Sequence, residues 1–351
     1  MSEDVLIKAD PLRAYCTDLF VSQEMPREDA HIIADSLVEA NLTGVDSHGV
    51  SRMGIYIKRL QEKMVNTKAQ IKLISDYPAA AAIDGLNSMG APISVQAMEI
   101  AIAKARTTGC AFVTINNSNH NGTAAYFARK ALAHDMIGFS CTNAPSTMPP
   151  WGGITPFFGT NPFAVAIPAD KQLPIVMDMA TSVVARGKII LAGKNGKEIP
   201  LGWAISKDGE MTTDPKTALE GAVLPFGEYK GSAIALLVDV LSGILSGAAF
   251  GPHIASLYEN FTDPQNVGHA FGVIDISKFG PADKFKQRID QMILEMKALR
   301  PAKGVDQIKL PGEIEHFTRE RRLTEGIPLS RPVLKELKEL GTLCGVPYTL
   351  E

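Results

Sequence analysis

Asp46-Ser47-His48-Gly49-Val50-Ser51-Arg52-Met53-Gly54-Ile55-Tyr56 is the stretch from which the rest of the chain can be placed. Gly44, just before it, suits the left-handed turn that ends a helix. Ser47 then suits the N-cap of a new helix over Ser47–Lys63. On that helix His48, Arg52 and Tyr56 stand at i, i+4 and i+8 and share one face. Val50, Met53, Ile57 and Leu60 supply the apolar positions that seat it on a core. The spacing predicts an imidazole, a guanidinium and a phenol in a row near a helix N-terminus, where the dipole favours anions. A small carboxylate would find a clamp in Arg52 and a proton donor in His48. The plainer reading is a capped helix start whose Ser-His pair does no chemistry.

Outward from this stretch, residues 5–23 and 26–43 read as two preceding helices. Pro26, Glu28 and Asp29 open the second, and Ile33, Ala34, Leu37, Val38 and Leu42 form its apolar stripe. Texture changes at about Ala69. Residues 71–75 and 79–84 read as strands, 92–107 as a helix, and 110–115 as a strand that runs into Asn116-Asn117-Ser118-Asn119-His120-Asn121-Gly122. A helix over 123–134 and a strand over 137–142 follow. Residues 143–162 are irregular and rich in Pro, Gly and Thr, and a loop of that length is usually functional. A hairpin over 163–167 and 174–178, a helix over 180–191 and a loop-rich stretch with turns at Asn195-Gly196 and Asp208-Gly209 come next. Residues 231–247 read as a buried helix, 270–275 as a strand, 281–299 as an amphipathic helix, and 332–340 as a last helix.

The order is not a regular βαβ array. No two glycines are separated by a single residue, so the G-x-G-x-x-G dinucleotide fingerprint is absent, and so is the P-loop. A nicotinamide cofactor bound here would not be held in the Rossmann way. The 351 residues can bury a large core and suit two domains, or one with a large insertion. With 45% apolar and 21% charged residues the composition is globular. A net charge of -3 argues against a nucleic-acid surface or a polybasic membrane anchor. Cys16, Cys110, Cys141 and Cys344 are scattered, which fits a reducing compartment. Met1–Asp10 has no apolar core of a signal peptide, and the apolar segment 232–250 contains Asp239. The expectation is a soluble cytoplasmic enzyme that meets neither membrane nor nucleic acid.

Four further groups carry candidate chemistry, each with a plain alternative. Asn119-His120-Asn121-Gly122 sits between a strand and a helix, where backbone N–H groups converge on phosphate or a reacting oxygen; otherwise it is a solvated turn. Asp178-Met179-Ala180-Thr181 lies at a strand end, where Asp178 could orient an imidazole or simply cap a helix. Lys230-Gly231 opens the buried helix and suits a phosphate, or is a surface lysine. Gly159-Thr160-Asn161-Pro162 could bring backbone close to a ligand, or is a tight turn. A hydrolytic triad is disfavoured, because adjacent Ser47 and His48 point about 100° apart on a helix, which makes a bond to His48 Nε2 awkward. There is no G-x-S-x-G. No two histidines lie at i, i+3 or i+4, so no metal is expected.

Taken together, these motifs, with Phe158 before Gly159 and Leu310-Pro311-Gly312-Glu313 near the end, resemble the malate/L-lactate dehydrogenase family of non-Rossmann NAD(P)-dependent oxidoreductases. The resemblance covers almost the whole chain. It implies an α+β fold in which a discontinuous helical domain, residues 1–68 plus about 281–351, packs on a two-layer α/β domain with a largely antiparallel sheet. That second domain, residues 69–280, would hold the nucleotide. It implies a homodimer, and hydride transfer between NAD(H), with NADP(H) as the alternative, and C2 of a 2-oxo or 2-hydroxy acid. Ser47, His48 and Asp178 would form a relay with His48 as proton donor, although some members are read with the histidine matching His120 in that role. Arg52, with Tyr56 and Thr160, would hold the substrate. His120, Gly122, Asn143, Ala144, Asp178, Met179, Ala180, Lys230, Gly231, Gly312 and Glu313 would line the cofactor. Arg186 and Lys188 are candidates to meet a 2′-phosphate. Malate, lactate, ureido acids and sugar acids all remain open as substrates. A nucleotide-binding sensor without catalysis is the reading of another class.

Overall fold

The structure, a computed structural model, describes residues 4–194 and 196–350; Asn195 of the expected Asn195-Gly196 turn lies outside them. Val5–Ile7 (β1) is a short strand rather than the start of a helix, and it pairs antiparallel with the distant segment Ile327–Leu329. The first helix, α1 (Ala9–Val21), tolerates Pro11 because it falls in the first turn. α2 (Arg27–Leu42) follows Pro26, and its stripe of Ile33, Ala34, Leu37 and Val38 is fully buried. The helix expected from Ser47 begins later: α3 spans Met53–Gln61, and residues 46–52 form two 3-10 turns.

The hairpin of β2 (Lys72–Tyr77) and β3 (Ala80–Asp84) leads into α4 (Gly90–Thr108) and β4 (Cys110–Ser118). α5 (Ala124–Ala128) tightens after one turn into a 3-10 segment, Arg129–His134, so the long helix expected there is not formed. β5 (Met136–Thr142), β6 (Phe163–Ile167) and β7 (Ile175–Met179) follow. α6 (Arg186–Lys194) starts six residues later than expected. β8 (Ala204–Ile205), β9 (Met211–Thr212), α7 (Pro215–Glu220) and β10 (Ala222–Val223) make a satellite with its own small core around Ile189, Ile199 and Val223.

α8 (Tyr229–Asp239) continues into a π-helical turn at Val240–Ile244. β11 (Val267–Asp275), α9 (Ala282–Ala298), α10 (Glu313–Glu325), β12 (Ile327–Leu329) and α11 (Arg331–Cys344) complete the chain. The sequence reading places no helix at α10.

The main sheet has the order β2-β3-β4-β11-β5-β6-β7. Every neighbouring pair is antiparallel except β3 with β4. This is an α+β arrangement with a largely antiparallel sheet. β11, the last strand of the sheet in sequence, is inserted at its centre and is buried along nearly its whole length. Its alternate residues serve opposite faces: Phe271 and Val273 join the core beneath α4, while Ala270 packs with Val238 of α8. His269 links three strands, with Nδ1 2.8 Å from Thr142 Oγ1 on β5 and Nε2 2.8 Å from Ser118 Oγ on β4.

The N-terminal helices are joined by the C-terminal ones. Tyr15 donates to the carbonyl of Leu337 at 2.8 Å, and Arg319 of α10 grips Glu39 of α2 with two bonds of 2.9 and 3.0 Å. α9 is held at the sheet instead: Asp290 accepts backbone N–H groups of Asp170, Lys171 and Gln172, and Lys286 pairs with Asp135 at 3.0 Å. The segment read as a buried helix is buried on one side only. Leu236, Leu237, Ile244 and Leu245 are each more than half exposed, so an all-round apolar helix here covers the sheet with one face and leaves the other open.

Candidate active site

α2 stops where Gly44 takes φ +85°. The N–H of Gly44 reaches the Asn41 carbonyl at 3.0 Å and that of Val45 the Ala40 carbonyl at 2.8 Å, the double closure expected of a left-handed helix end. Two 3-10 turns follow, Asp46–His48 and Val50–Arg52, broken at Gly49 by an extended backbone. Asn41 causes the break. Its side chain accepts the N–H of Val50 at 2.8 Å and donates to Asp46 at 2.7 Å. A Cβ on residue 49 would lie 2.1 Å from the Asn41 amide oxygen, so only glycine fits. Arg322 of α10 holds Asp46 from the other side with bonds of 2.7 and 3.1 Å. The segment is thus fixed from both ends of the sequence.

Ser47 is therefore not the helix cap that the sequence led us to expect. Its hydroxyl lies 3.0 Å from Nδ1 of His48, the near ring nitrogen. Arg52 turns back and donates from Nε to the Ser47 carbonyl at 2.7 Å, and its Nη1 meets the hydroxyl of Tyr258. Tyr56, buried one turn on, lies with its hydroxyl 2.6 Å from His120 Nδ1. The His48 and His120 rings stack with centroids 5.7 Å apart and planes 24° apart. Ser47, His48, Arg52, Tyr56 and His120, which the sequence places in two separate segments, therefore form one cluster.

His120 is set by its own loop. Its N–H donates to Gln265 Oε1 at 3.2 Å; Asn119 donates to Asn87 Oδ1 and the Ser88 carbonyl, both at 3.0 Å; and Asn121 donates to Ser94 at 3.1 Å. Gly122 ends the loop at φ +99°. Tyr56, Arg59, Asn119, His120, Leu257 and Gln265 enclose a small cavity of about 10 Å³. Nε and Nη2 of Arg59 and Oδ1 of Asn119 are buried without a hydrogen-bond partner among the described residues.

Desolvation pushes His48 down to about 4, and the charge of Arg52 adds to the effect. His120 lies well below the ordinary imidazole value for the same first cause, with Arg52, His48 and His269 contributing. Both rings are neutral at neutral pH. Among the described residues the Nε2 atoms of His48 and His120 carry no hydrogen bond, so each presents a nitrogen that can give or take a proton.

The direct relay through Asp178 is not formed. Asp178, at the end of β7, accepts the N–H of Ala125 at 3.0 Å and, among the described residues, makes no hydrogen bond to Ser47 or His48. Desolvation pushes its carboxyl up to about 6, opposed by the Ala125 bond and assisted by Glu315 of α10. Glu315 and Arg322 stand seven residues apart on α10, about 10 Å along the helix. Asp178 and the Asp46 turn thus border the same helix.

Met179 and Ala180 continue the β7 edge, and Gly312 docks beside it through the bond from Val176 N–H to the Pro311 carbonyl at 3.0 Å. The Glu313 side chain is committed to Lys297 at 2.6 Å and to the Leu310 N–H at 3.1 Å. Asn143 is also committed: its amide donates to Asp239 at 3.0 Å and accepts the Gly268 N–H at 3.0 Å. These two side chains are structural, and only their backbone is left to line a ligand. Ala144 N–H is held by Asn161 at 3.1 Å, and the Thr160 carbonyl accepts both the N–H and the hydroxyl of Thr181 at 2.8 Å. Thr160 is thereby tied to the β7 edge, and no bond joins it to the histidine cluster among the described residues. Lys230 is exposed at the start of α8, beside Gly231. Arg186 donates to the Leu219 carbonyl at 3.1 Å. The sequence reading missed Tyr258, Arg59, Gln265 and Arg322, which lie in an unpatterned loop or on helix faces that only the tertiary fold turns inward.

A family model described as malate/L-lactate dehydrogenase matches residues 7–338. The chain is 41% identical over 350 residues to the malate dehydrogenase of Pyrococcus horikoshii, covering 97% of this chain and 96% of that one. It is 33% identical over 305 residues to the NAD(+) ureidoglycolate dehydrogenase of Escherichia coli O157:H7, covering 87% of each. The solved sulfolactate dehydrogenase of Methanocaldococcus jannaschii superimposes with a TM-score of 0.92 at 37% identity, covering 97% of this chain and 98% of that one.

Proposed function

The chain belongs to the malate/L-lactate dehydrogenase family, and from that premise we propose that it moves a hydride between NAD(P)H and C2 of a small 2-oxo or 2-hydroxy acid. Malate, sulfolactate and ureidoglycolate, for which the relatives are named, are all 2-hydroxy acids. What they share is the C1 carboxylate and the reacting carbon, and those are what the cluster is built to meet. The observation that carries the reading is the guanidinium of Arg52 beside two stacked neutral imidazoles with free Nε2 atoms.

Arg52 binds the carboxylate. Its Nε is pinned to the Ser47 carbonyl, which fixes the plane of the guanidinium and turns its other edge to the acid. Neutralising that charge removes the second of the two causes that keep His48 unprotonated. In the neutral ring the Nδ1–H of His48 donates to the Ser47 hydroxyl oxygen, which leaves the Nε2 lone pair open to the reacting proton. In reduction the protonated ring of His48 gives its Nε2 proton to the carbonyl oxygen while C2 accepts the hydride, and the ring returns to its neutral form; in oxidation neutral His48 takes the hydroxyl proton on Nε2. His120, oriented by Tyr56, backs the His48 ring.

The cofactor fits the remaining walls. Lys230 sits at the positive end of α8 with no acidic partner among the described residues, a placement that an anion such as a diphosphate would stabilise. The nicotinamide supplies or takes the hydride when bound. NAD(H) is the assignment, since Arg186, one of the two candidates for a 2′-phosphate, already serves a backbone carbonyl. Residues 1–68 supply His48 and Arg52 to the acid, and residues 69–280, which add His120 and Tyr258 to the same cluster, would hold the nucleotide.

We assign a homodimer, because the open face of Leu236, Leu237, Ile244 and Leu245 is a contiguous apolar surface of the kind that marks an interface. Sedimentation should give twice the chain mass, and Leu237→Asp with Leu245→Asp should give the monomer; an unaltered monomeric wild type contradicts it. No described helix is long and apolar enough to cross a membrane, and the unpaired cysteines agree with the cytoplasm.

Mixing the protein with NADH and a panel of 2-oxo acids tests the function. Loss of nicotinamide absorbance with at least one acid is expected. Binding of NADH without reduction of any acid would favour a sensor, and ester cleavage without cofactor a hydrolase. The pH dependence gives a second check. Oxidation needs neutral His48, so kcat/KM for a 2-hydroxy acid should stay flat down to about pH 5 and fall about tenfold per unit below about pH 4. An acid limb near the ordinary imidazole value would contradict the burial of His48.

A further inference from the structure

Tyr258 lies in the loop 254–265 that leads into β11. Its hydroxyl meets Nη1 of Arg52, and the guanidinium carbon is 5.5 Å from the centre of its ring. The loop is gripped on both sides of this residue. Buried Arg59 donates from Nη1 to the carbonyls of Leu257 at 3.2 Å and Asn260 at 2.8 Å. The Phe261 ring receives Lys58 Nζ at 4.3 Å from its centre, and Gln265 holds the N–H of His120 at 3.2 Å. Residues of α3 and of the His120 loop therefore fix where Tyr258 stands.

Among the described residues Arg52 has no carboxylate partner: Nε goes to the Ser47 carbonyl and Nη1 to Tyr258. A phenol oxygen that accepts from a guanidinium keeps its own O–H proton to donate. An anion seated on the free edge of Arg52 has that proton beside it. We infer that Tyr258 is a second, neutral hydrogen-bond donor to the substrate carboxylate and so a specificity residue of the reaction. A neutral donor suits this position electrostatically. The charge of Arg52 already lowers both histidines, and a second cation would push them further from the protonated form that reduction needs, whereas a phenol adds affinity without charge. The inference rests on the reading of Arg52 as the carboxylate clamp.

Tyr258→Phe keeps the ring against Arg52 and removes only the hydroxyl. With a 2-oxo acid found active in the panel, its KM should rise about tenfold or more, while kcat falls less than threefold and the Kd for NADH, followed by fluorescence, does not move. Tyr258→Leu should show the same rise, and Arg52→Gln/Tyr258→Phe should lose more than Arg52→Gln alone. An unchanged or lowered KM in Tyr258→Phe overturns the inference. If Arg52→Gln still raises KM in that case, the clamp stands and only Tyr258 falls; if Arg52→Gln leaves KM unchanged as well, the carboxylate reading falls with it.

Discussion

Replacement of His48 by alanine lowers turnover by about two to four orders of magnitude, the usual worth of a positioned acid or base, and leaves NAD(H) binding in place. The expectation follows from where the ring stands. Its Nδ1 faces the Ser47 hydroxyl, among the described residues its Nε2 is free, and Arg52 lies four residues away in the next 3-10 turn. A carboxylate held by Arg52 therefore sets its C2 oxygen beside His48. His120 is a rival with a free Nε2, but its ring is anchored to Tyr56 and reached from a different segment. His120→Ala should cost less than His48→Ala because it removes the backing of the ring rather than the donor. Single-turnover rates with saturating NADH separate the two. If His120→Ala abolished turnover and His48→Ala did not, the roles would be exchanged.

Arg52→Gln is expected to lower kcat/KM for the acid by about a hundred- to a thousandfold, as loss of one partner of a desolvated charge pair does. The loss should appear largely in KM, since the clamp binds ground state and transition state alike. The same substitution removes the second cause of the depressed His48 value, so the acid limb of oxidation should move to higher pH. The two effects come from one charge and should appear together. A raised KM with an unmoved limb would mean that desolvation alone sets the histidine.

Much of this site is legible before any coordinates are known, because it is written locally. Gly44 closes α2 through its positive φ, and Ile33, Leu37 and Val38 fall on one buried stripe. The motif residues Ser47, His48, Arg52 and Tyr56 lie within ten positions of one another. The helix assigned to them was misplaced because its interruption is tertiary: Asn41 takes the Val50 N–H and leaves no room for a Cβ on residue 49. Ser47 lost its capping role for the same reason.

The stacking of His48 on His120 joins the turn after α2 to the loop after β4, and nothing in the spacing of the two histidines shows it. Asp178 was placed in the relay by resemblance, yet its carboxylate serves the start of α5. α8 was read as buried because an apolar helix looks the same whether it is covered by its own chain or by another. α10 escaped notice because its charged residues are spent on contacts with distant segments, Arg319 on Glu39 and Arg322 on Asp46. Tyr258 carried no periodic signal at all, since its position is set by Arg59 and not by its neighbours in sequence.

The most direct test of the central claim uses NADH carrying deuterium at both C4 positions and an accepted 2-oxo acid in ordinary water. Proton NMR of the product should show deuterium retained at C2, with the hydroxyl proton drawn from solvent through His48. A product carrying only protium at C2, with the label left in the nicotinamide or lost to water, would contradict the account.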